Sequence, residues 1–291
     1  MRHEDLADAD CGIAQALGVM GDWWTFLIVR DIAGGTTRFD ALARGLGVSR
    51  RALTERLGAL VEHGVLRRRP YSRHPPRHDY VLTPKGEGLL PVLVALQDWG
   101  SRHVMGDGSL DAIGTAPEAH RVHALEGHVV PGMAGEDWTV LYCFPGAFAP
   151  GPNGHPPGWG DIPGATGCTL ESATYADREP AFRALGARVR GVSTQRPDQL
   201  RAFAEHARLP FPLLSDQDAR LAAALRLPTF RVAGTDRLKR LTLLLDPSAV
   251  VRAVQFPITD PAGSVDAMLT RLGEIALRPG APAGMKVSGD E

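Results

Sequence analysis

Cys168 stands where a reactive thiol would be expected. It follows Pro163-Gly-Ala-Thr-Gly167 and precedes Thr169-Leu-Glu171, so the pattern predicts a tight turn that opens a helix at the cysteine. Backbone amides at a helix N-terminus favour the thiolate, which is the nucleophilic form of the side chain. Peroxide chemistry also needs a nearby cation, and Arg240, before the apolar run 241–245, is the candidate. The expected chemistry is attack of the thiolate on a peroxide.

A second group of residues suits contact with DNA. Ser49 is predicted to cap a helix, and the two arginines that follow it suit guanine readout or phosphate contact. Alone they would more often be solvated surface, but a basic hairpin follows at winged-helix spacing, and such a wing can follow the DNA backbone. The candidate DNA-contacting residues are Arg38, Ser49, Arg50, Arg51, Thr54, Arg67, Arg68, Arg69, Arg73 and Arg77.

The other two cysteines are interpreted differently. Cys11 lies at the predicted start of the first helix, where the helix field would lower its pKa. Redox sensing and plain burial are both open for it. Cys143 lies within an apolar run and is interpreted as core. Three widely spaced cysteines and scattered histidines exclude a secreted disulfide framework and give no metal-ligand spacing, so neither a metal nor a cofactor is expected.

Two groups of elements must position these residues. Up to about residue 105 the pattern predicts four helices, a hairpin and a last helix that Thr83 caps, which is the order of a winged helix-turn-helix, mainly α with a β-hairpin wing. The helices are predicted near 13–20, 24–32, 39–46 and 49–63, the strands at 65–69 and 80–82 around a Pro-rich tip at 70–76, and the last helix at 84–104.

The second half alternates strands with helices, which indicates an α/β layer fold. Strands are predicted at 139–144, 189–193, 241–245 and 250–256, with helices near 169–185, 197–207, 217–226 and 263–276. The predicted organisation is a DNA-binding domain at 1–106, a linker at 107–126, an α/β domain at 127–278 and a disordered tail at 279–291.

Composition limits the function classes. A length of 291 residues suits two domains. The net charge of −1 means that any DNA-binding charge must be local. The first ten residues are acidic without an apolar signal core, and no apolar run approaches membrane-spanning length. A cytoplasmic, reducing location without a membrane partner is therefore expected.

The first half resembles the HxlR-type winged-helix transcription regulators. The resemblance implies a homodimer on a pseudo-palindromic operator in double-stranded DNA, paired through segments 11–20 and 84–104, with Cys11 where several relatives sense oxidants. Gly12 departs from the proline of many relatives. The segments that carry the resemblance are Cys11-Gly-Ile-Ala14, Trp24-Thr-Phe-Leu-Ile-Val-Arg30, Arg38-Phe39, Leu53-Thr-Glu-Arg-Leu57, Gly64-Val-Leu-Arg67, Pro75-Pro-Arg-His-Asp-Tyr80 and Leu82-Thr-Pro-Lys-Gly86.

Residues 126–277 resemble peroxiredoxins of the AhpC/TSA, bacterioferritin-comigratory type. The resemblance implies a thioredoxin-like fold with Cys168 as the peroxidatic cysteine, Arg240 as the activating arginine, a peroxide as oxidant and an external thiol as reductant. The carrying segments are Val140-Leu-Tyr-Cys-Phe-Pro145, Pro163-Gly-Ala-Thr-Gly-Cys-Thr169, Glu171, Gly186-Ala-Arg-Val-Arg-Gly-Val-Ser193, Phe211-Pro-Leu-Leu-Ser-Asp216 and Lys239-Arg-Leu-Thr242.

Three departures from that family bear on turnover. Ala165 replaces the threonine that would hold the peroxide, and Thr166 and Thr169 are the candidates to substitute for it. An insertion separates Pro145 from the cysteine, and Ala173 stands where a resolving cysteine is expected. A sulfenic acid at Cys168 would then persist, or be captured by Cys11, Cys143 or an external thiol.

These observations favour a redox-responsive transcription regulator that senses oxidants through Cys168, with Cys11 as a second sensor. Two alternatives stay open. One is a one-cysteine thiol peroxidase fused to a DNA-binding domain. The other is a repressor whose thioredoxin fold is a catalytically inactive assembly module.

Overall fold

The computed structural model describes residues 10–73, 76–104, 114, 116–150 and 154–276. The chain divides into two compact units, Met1–Leu93 and Val94–Glu291. The division falls inside the last helix of the first predicted domain, so the domain bounds at 106 and 127 stay a prediction. The predicted disordered tail, 279–291, lies outside the described residues.

Four helices open the first unit, as the periodicity predicts. They are α1 (Gly12–Met20), α2 (Trp23–Ala33), α3 (Phe39–Leu46) and α4 (Arg50–Glu62). Ser49 caps α4 as expected, because its hydroxyl accepts the amide of Ala52 at 3.2 Å. Leu53, Leu57 and Leu60 turn one face of α4 into the core, where they pack with α2 and α3. The opposite face of α4 is thereby left to solvent.

An antiparallel hairpin follows, formed by β1 (Leu66–Arg73) and β2 (Pro76–Leu82). The predicted Pro-rich loop at 70–76 is wrong for most of its length, since β1 runs through Pro70, which pairs with His78. Proline lacks the amide of a sheet ladder, and it is tolerated here beside a bulge in a two-stranded sheet with free edges. The predicted last helix is two helices, α5 (Pro84–Glu87) and α6 (Leu90–His103).

The second unit contains a five-stranded mixed sheet with the strand order β5-β4-β3-β8-β9. Strands β3, β4 and β5 run parallel, whereas β8 is antiparallel to β3 and β9. The predicted α/β fold is confirmed. The strands are β3 (Trp138–Cys143), β4 (Ala187–Ser193), β5 (Leu213–Ser215), β6 (Thr229–Val232), β7 (Thr235–Leu238), β8 (Leu241–Leu245) and β9 (Val251–Gln255). The helices are α7 (Ala116–His123), α8 (Cys168–Ala184), α9 (Pro197–His206), α10 (Arg220–Leu225) and α11 (Gly263–Ala276).

Four elements of this unit were not expected from the pattern. Helix α7 lies within the segment predicted as a linker, and it buries Val122 and Glu118. The carboxylate of Glu118 pairs with the fully buried Lys239 at 2.9 Å. The short hairpin β6–β7 and the three-residue β5 were also missed. These strands are too short to show an alternation of apolar and polar residues. Helix α10 is shorter than the predicted 217–226.

Within the part of the chain that the structure describes, no single helix is long and apolar enough to cross a bilayer. Helices α1 and α2 reach that length and composition only as a pair, and they are bent by 76° relative to each other. Helix α2 buries Ile28, Val29 and Ile32 in the core of the first unit, which accounts for its apolar composition.

Candidate functional site

Cys168 is the first residue of α8. The preceding Gly167 has φ 98°, and a Cβ at that position would lie 2.9 Å from Pro261 Cγ. Only glycine combines this left-handed conformation with this close approach. The turn therefore delivers the thiol to the helix start, where it is 2% exposed.

Arg240 contacts the thiol from the start of β8. Its Nη2 lies 3.4 Å from Cys168 Sγ and also donates to the carbonyls of Gly164 and Thr166, both at 3.1 Å. Its Nη1 donates to the carboxylate of Glu171, one turn into α8. One buried guanidinium thus joins the turn, the thiol and the helix. The structure brings together the predicted Cys168 and Arg240, whose catalytic roles stay predictions.

The electrostatics of the thiol differ from the expected thiolate. Burial raises the pKa of Cys168, and the Glu171 carboxylate raises it further. The Arg240 charge and a hydrogen bond from the Gly146 backbone oppose this shift in pKa without cancelling it. The helix start alone does not overcome the loss of solvation, so the neutral thiol is favoured in the resting site.

Glu171 is a buried acid of this site to which the sequence analysis assigned no role. Burial raises its pKa to about 7, although Arg240 works in the opposite direction. Its Oε1 is buried without a hydrogen-bond partner in the described structure. Two buried acids, Glu171 and Cys168, therefore share one guanidinium. The available signal was spacing, because residues three apart on a helix share a face.

Replacing Glu171 with glutamine is expected to lower the pKa of Cys168, because it removes the carboxylate that competes for Arg240. Alkylation of Cys168 by iodoacetamide at neutral pH should become about tenfold faster, and its pH profile should move to lower pH. Peptide mass spectrometry would follow the reaction. Glu179→Gln, which removes the carboxylate that pairs with Arg183 farther along the same helix, is the matched control. An unchanged or higher inflection in the Glu171 variant would contradict shared use of Arg240.

The remaining candidates for peroxide chemistry have separate positions. Thr166 and Thr169 are exposed on either side of the buried thiol. The carbonyl of Ala165 accepts a hydrogen bond from Cys168 Sγ at 3.5 Å. Ala173, at the position of the expected resolving cysteine, is exposed on α8. A peroxide held by either threonine would have to approach from the exposed side of the turn.

Cys143 is buried, as expected for a core residue, and burial raises its pKa well above the ordinary value. Its neighbours Tyr142 and Phe144 pack in the same core cluster as Cys168. Because successive side chains of a strand point to opposite faces, Cys143 points away from that cluster. Cys11 is exposed at the N-cap of α1.

The predicted DNA-contacting residues of the first unit are exposed, apart from Arg73, whose side chain lies outside the description. Several of the arginines are engaged in ion pairs. Arg50 pairs with Asp40 at 2.6 Å, and Arg51 pairs with Glu55 at 3.0 Å. The hydroxyls of Ser49 and Thr54 bond to the backbone of α4.

Asp79 forms ion pairs in the middle of the hairpin. This carboxylate lies 3.1 Å from Arg69 and 3.9 Å from Arg38. A cleft of about 560 Å³ opens between the start of α3, the start of α4 and the hairpin. Its cationic lining residues include Arg38, Arg44, Arg50 and Arg77. The net charge of the chain is close to zero, so a DNA-binding surface needs a local cluster of positive charge. This face carries such a cluster.

Apolar side chains remain exposed on α1 and α6. Ile13 is 73% and Leu17 48% exposed on α1, while Leu96 is 51% and Trp99 56% exposed on α6. Leu89 and Leu93 instead pack against the core of the first unit. Among the described side chains, no group of three or more His, Cys, Asp or Glu residues could hold a metal ion.

Comparison with known proteins bears on both units. The HxlR-like helix-turn-helix family matches residues 19–107. The regulator YtfH of Escherichia coli is 35% identical over 100 residues, which cover 34% of this chain and 79% of that protein. The chain belongs to the HxlR-like helix-turn-helix family. An uncharacterized HTH-type transcriptional regulator of Mycobacterium tuberculosis is 44% identical over 92 residues. These residues cover 58% of that regulator and 32% of this HxlR-like chain.

The second unit of this HxlR-like protein matches the AhpC/TSA family over residues 162–254. The chain thus joins an HxlR-like helix-turn-helix domain to a peroxiredoxin-like domain with a thioredoxin-like fold. Among solved structures, peroxidoxin BcpB from Mycobacterium tuberculosis is 27% identical, with a TM-score of 0.40. The match covers 49% of this chain and 82% of the peroxidoxin chain.

Proposed function

We propose that this protein is a DNA-binding transcription regulator whose peroxiredoxin-like domain senses oxidants through Cys168. The observation that carries the proposal is the contact between Arg240 and Cys168 at the start of α8. A guanidinium 3.4 Å from a thiol at a helix start stabilises the thiolate once the proton leaves and polarises an incoming peroxide.

The chemical step is a two-electron oxidation. The sulfur of Cys168 attacks one oxygen of the peroxide, an S–O bond forms and the O–O bond breaks. The leaving hydroxide or alkoxide takes up the proton that the thiol has lost. The sulfur is oxidised to a sulfenic acid, and the peroxide is reduced to water or an alcohol. Thr166 and Thr169 are the hydroxyls offered to the peroxide in place of the missing threonine.

Membership of the HxlR-like family and the exposed basic hairpin support DNA binding by the first unit. The exposed apolar side chains of α1 and α6 support pairing of two copies, because each would otherwise leave large apolar groups in water. A homodimer would bind a pseudo-palindromic operator in double-stranded DNA, since two-fold symmetry of the protein is matched by the half-sites. Such a regulator works in the cytoplasm, where an external thiol can reduce it.

Arg68 is expected to contribute a phosphate contact. Arg68→Ala should weaken binding to all DNA sequences and lower the slope of log affinity against log salt by about one per protomer. Fluorescence anisotropy of labelled operator DNA at several salt concentrations measures this slope. Arg178→Ala, which removes an exposed arginine of the second unit, should leave it unchanged. A constant slope in the Arg68 variant would argue against phosphate contact.

The sensing proposal is tested by Cys168→Ser. Operator affinity of the wild type should change after one equivalent of hydrogen peroxide, whereas the variant should keep the affinity of the reduced protein. Cys11→Ser measures whether Cys11 acts as a second sensor. If the Cys168 variant responds to peroxide as the wild type does, sensing through this thiol is wrong.

The two alternatives predict different results in the same assays. A one-cysteine peroxidase fused to a DNA-binding domain consumes peroxide steadily with an added thiol, while oxidation leaves DNA affinity unchanged. The buried Arg240–Cys168 contact favours this reading as the second candidate. An inactive assembly module tolerates replacement of Cys168 in both assays, and the raised pKa of the thiol is the observation on its side.

A further inference from the structure

Arg237 on β7 is a buried cation. The residue is 7% exposed, and among the described residues its Nε and Nη1 have no hydrogen-bond partner. Within the described structure no carboxylate forms an ion pair with it, and the neighbouring Asp236 pairs with Arg231 at 3.1 Å. Burial lowers the pKa of Arg237. Leaving a guanidinium unpaired inside a protein is unfavourable, so a bound anion would stabilise this arrangement.

The surroundings of Arg237 are aromatic. Its guanidinium carbon lies 5.9 Å from the ring centroid of Phe148 and 6.0 Å from that of Trp159. Phe230 is its cross-strand partner, and it packs in one cluster with both rings. The indole Nε1 of Trp159 is also buried without a partner. Three donor nitrogens without a partner among the described residues therefore belong to adjacent side chains in a mainly aromatic cluster.

A carboxylate fits these donors better than other small anions would. It is acceptor-only, it accepts several hydrogen bonds, and it matches the planar fork of a guanidinium. An organic group attached to the carboxylate would find aromatic partners in the same cluster. We propose that Arg237 and Trp159 bind the carboxylate of a small organic molecule, with the apolar body of the ligand held against Phe148 and Phe230.

The proposed site adjoins the thiol of the second unit. Ala165 packs in the aromatic cluster, and its carbonyl accepts the hydrogen bond from Cys168. A Cβ on Gly146 would lie 3.0 Å from Phe148 and 3.3 Å from Trp159, and the Gly146 backbone lowers the pKa of the Cys168 thiol. A ligand in the cluster would therefore lie beside two backbone groups that act on Cys168. Binding itself depends on neither redox chemistry nor DNA.

The test is binding of 4-fluorobenzoate to the reduced full-length chain, followed by fluorine NMR of the ligand. The neutral 4-fluorobenzyl alcohol serves as the matched probe of nearly the same shape. The wild type should bind the benzoate about tenfold more tightly than the alcohol, the ratio expected for one charge-assisted hydrogen bond. Arg237→Gln should remove this preference, while Arg231→Gln, on the neighbouring strand, should keep it.

Equal affinity of the wild type for both probes, or no binding of the benzoate, would overturn the proposal without any variant. An undiminished preference in Arg237→Gln would overturn it as well. Because the measurement uses no oxidant and no DNA, its outcome is separate from that of the sensing experiment. A failed peroxide response with intact benzoate binding would leave a ligand-binding domain, whereas the reverse result would leave a redox sensor.

Discussion

Replacing Arg240 with leucine is expected to slow oxidation of Cys168 by hydrogen peroxide about 100-fold or more, the loss typical of removing a buried donor that stabilises developing charge. The guanidinium is the cation that contacts the thiol in the structure, at 3.4 Å. Without it, burial and the Glu171 carboxylate both act to keep the thiol protonated. Trapping of the sulfenic acid, quantified by peptide mass spectrometry over time, measures the rate.

Two further variants separate chemistry from structure in this experiment. Arg240→Lys keeps the charge but not the planar fork, so it should recover part of the rate. Arg252→Leu removes a half-exposed arginine that pairs with Asp246 on the same sheet, and it should oxidise as the wild type does. Circular dichroism confirms that each variant is folded. Oxidation of a folded Arg240→Leu protein at the wild-type rate would remove this residue from the mechanism.

Lys239→Leu is expected to lower the free energy of unfolding of the second unit by about 3–5 kcal/mol, the range for breaking a buried ion pair. Its Nζ lies 2.9 Å from the Glu118 carboxylate, and both side chains are at most 3% exposed. The substitution leaves a buried carboxylate without this partner. Urea denaturation followed by far-UV circular dichroism would measure the loss.

The double variant Lys239→Leu/Glu118→Leu tests the cause of that loss. Because it removes both charges, it should recover at least half of the lost stability. Arg188→Leu, which breaks the exposed pair with Asp137, should cost less than about 1 kcal/mol. A double variant as unstable as the sum of the two single variants would show that the pair itself contributes little.

The sequence predicted much of the fold where elements are long and one-sided. The leucines of α4 at spacing three and four, and the continuous apolar runs of β3 and β8, have strong periodic signals that the core confirms. Helix α7 was missed because its contacts join it to residues far along the chain, such as Lys239, 121 residues away, which no local pattern contains. The hairpin strands were predicted too short because proline usually ends a strand.

The candidate site was predictable in its composition but not in its electrostatics. Cys168 and Arg240 are 72 residues apart, and motifs placed both correctly as neighbours. The helix start led us to expect a lowered thiol pKa, yet burial dominates and raises it. The effects of Glu171 and Gly146 on the pKa of the thiol depend on how the folded chain packs around it, which residue spacing alone does not reveal. The burial of Arg237 likewise could not be predicted, because it depends on which side chains surround the residue in the folded protein.

The position of Cys143 bears on how long a signal would last. It is the other cysteine of the second unit, and its side chain points to the opposite face of the sheet from the cluster that holds Cys168. With Ala173 on α8, the second unit has no thiol placed to close the cycle on its own. On the proposed function, reduction of the Cys168 sulfenic acid therefore depends on a reductant from outside that unit. Promoter occupancy would then record accumulated exposure to oxidant, as a dosimeter does, rather than its momentary concentration.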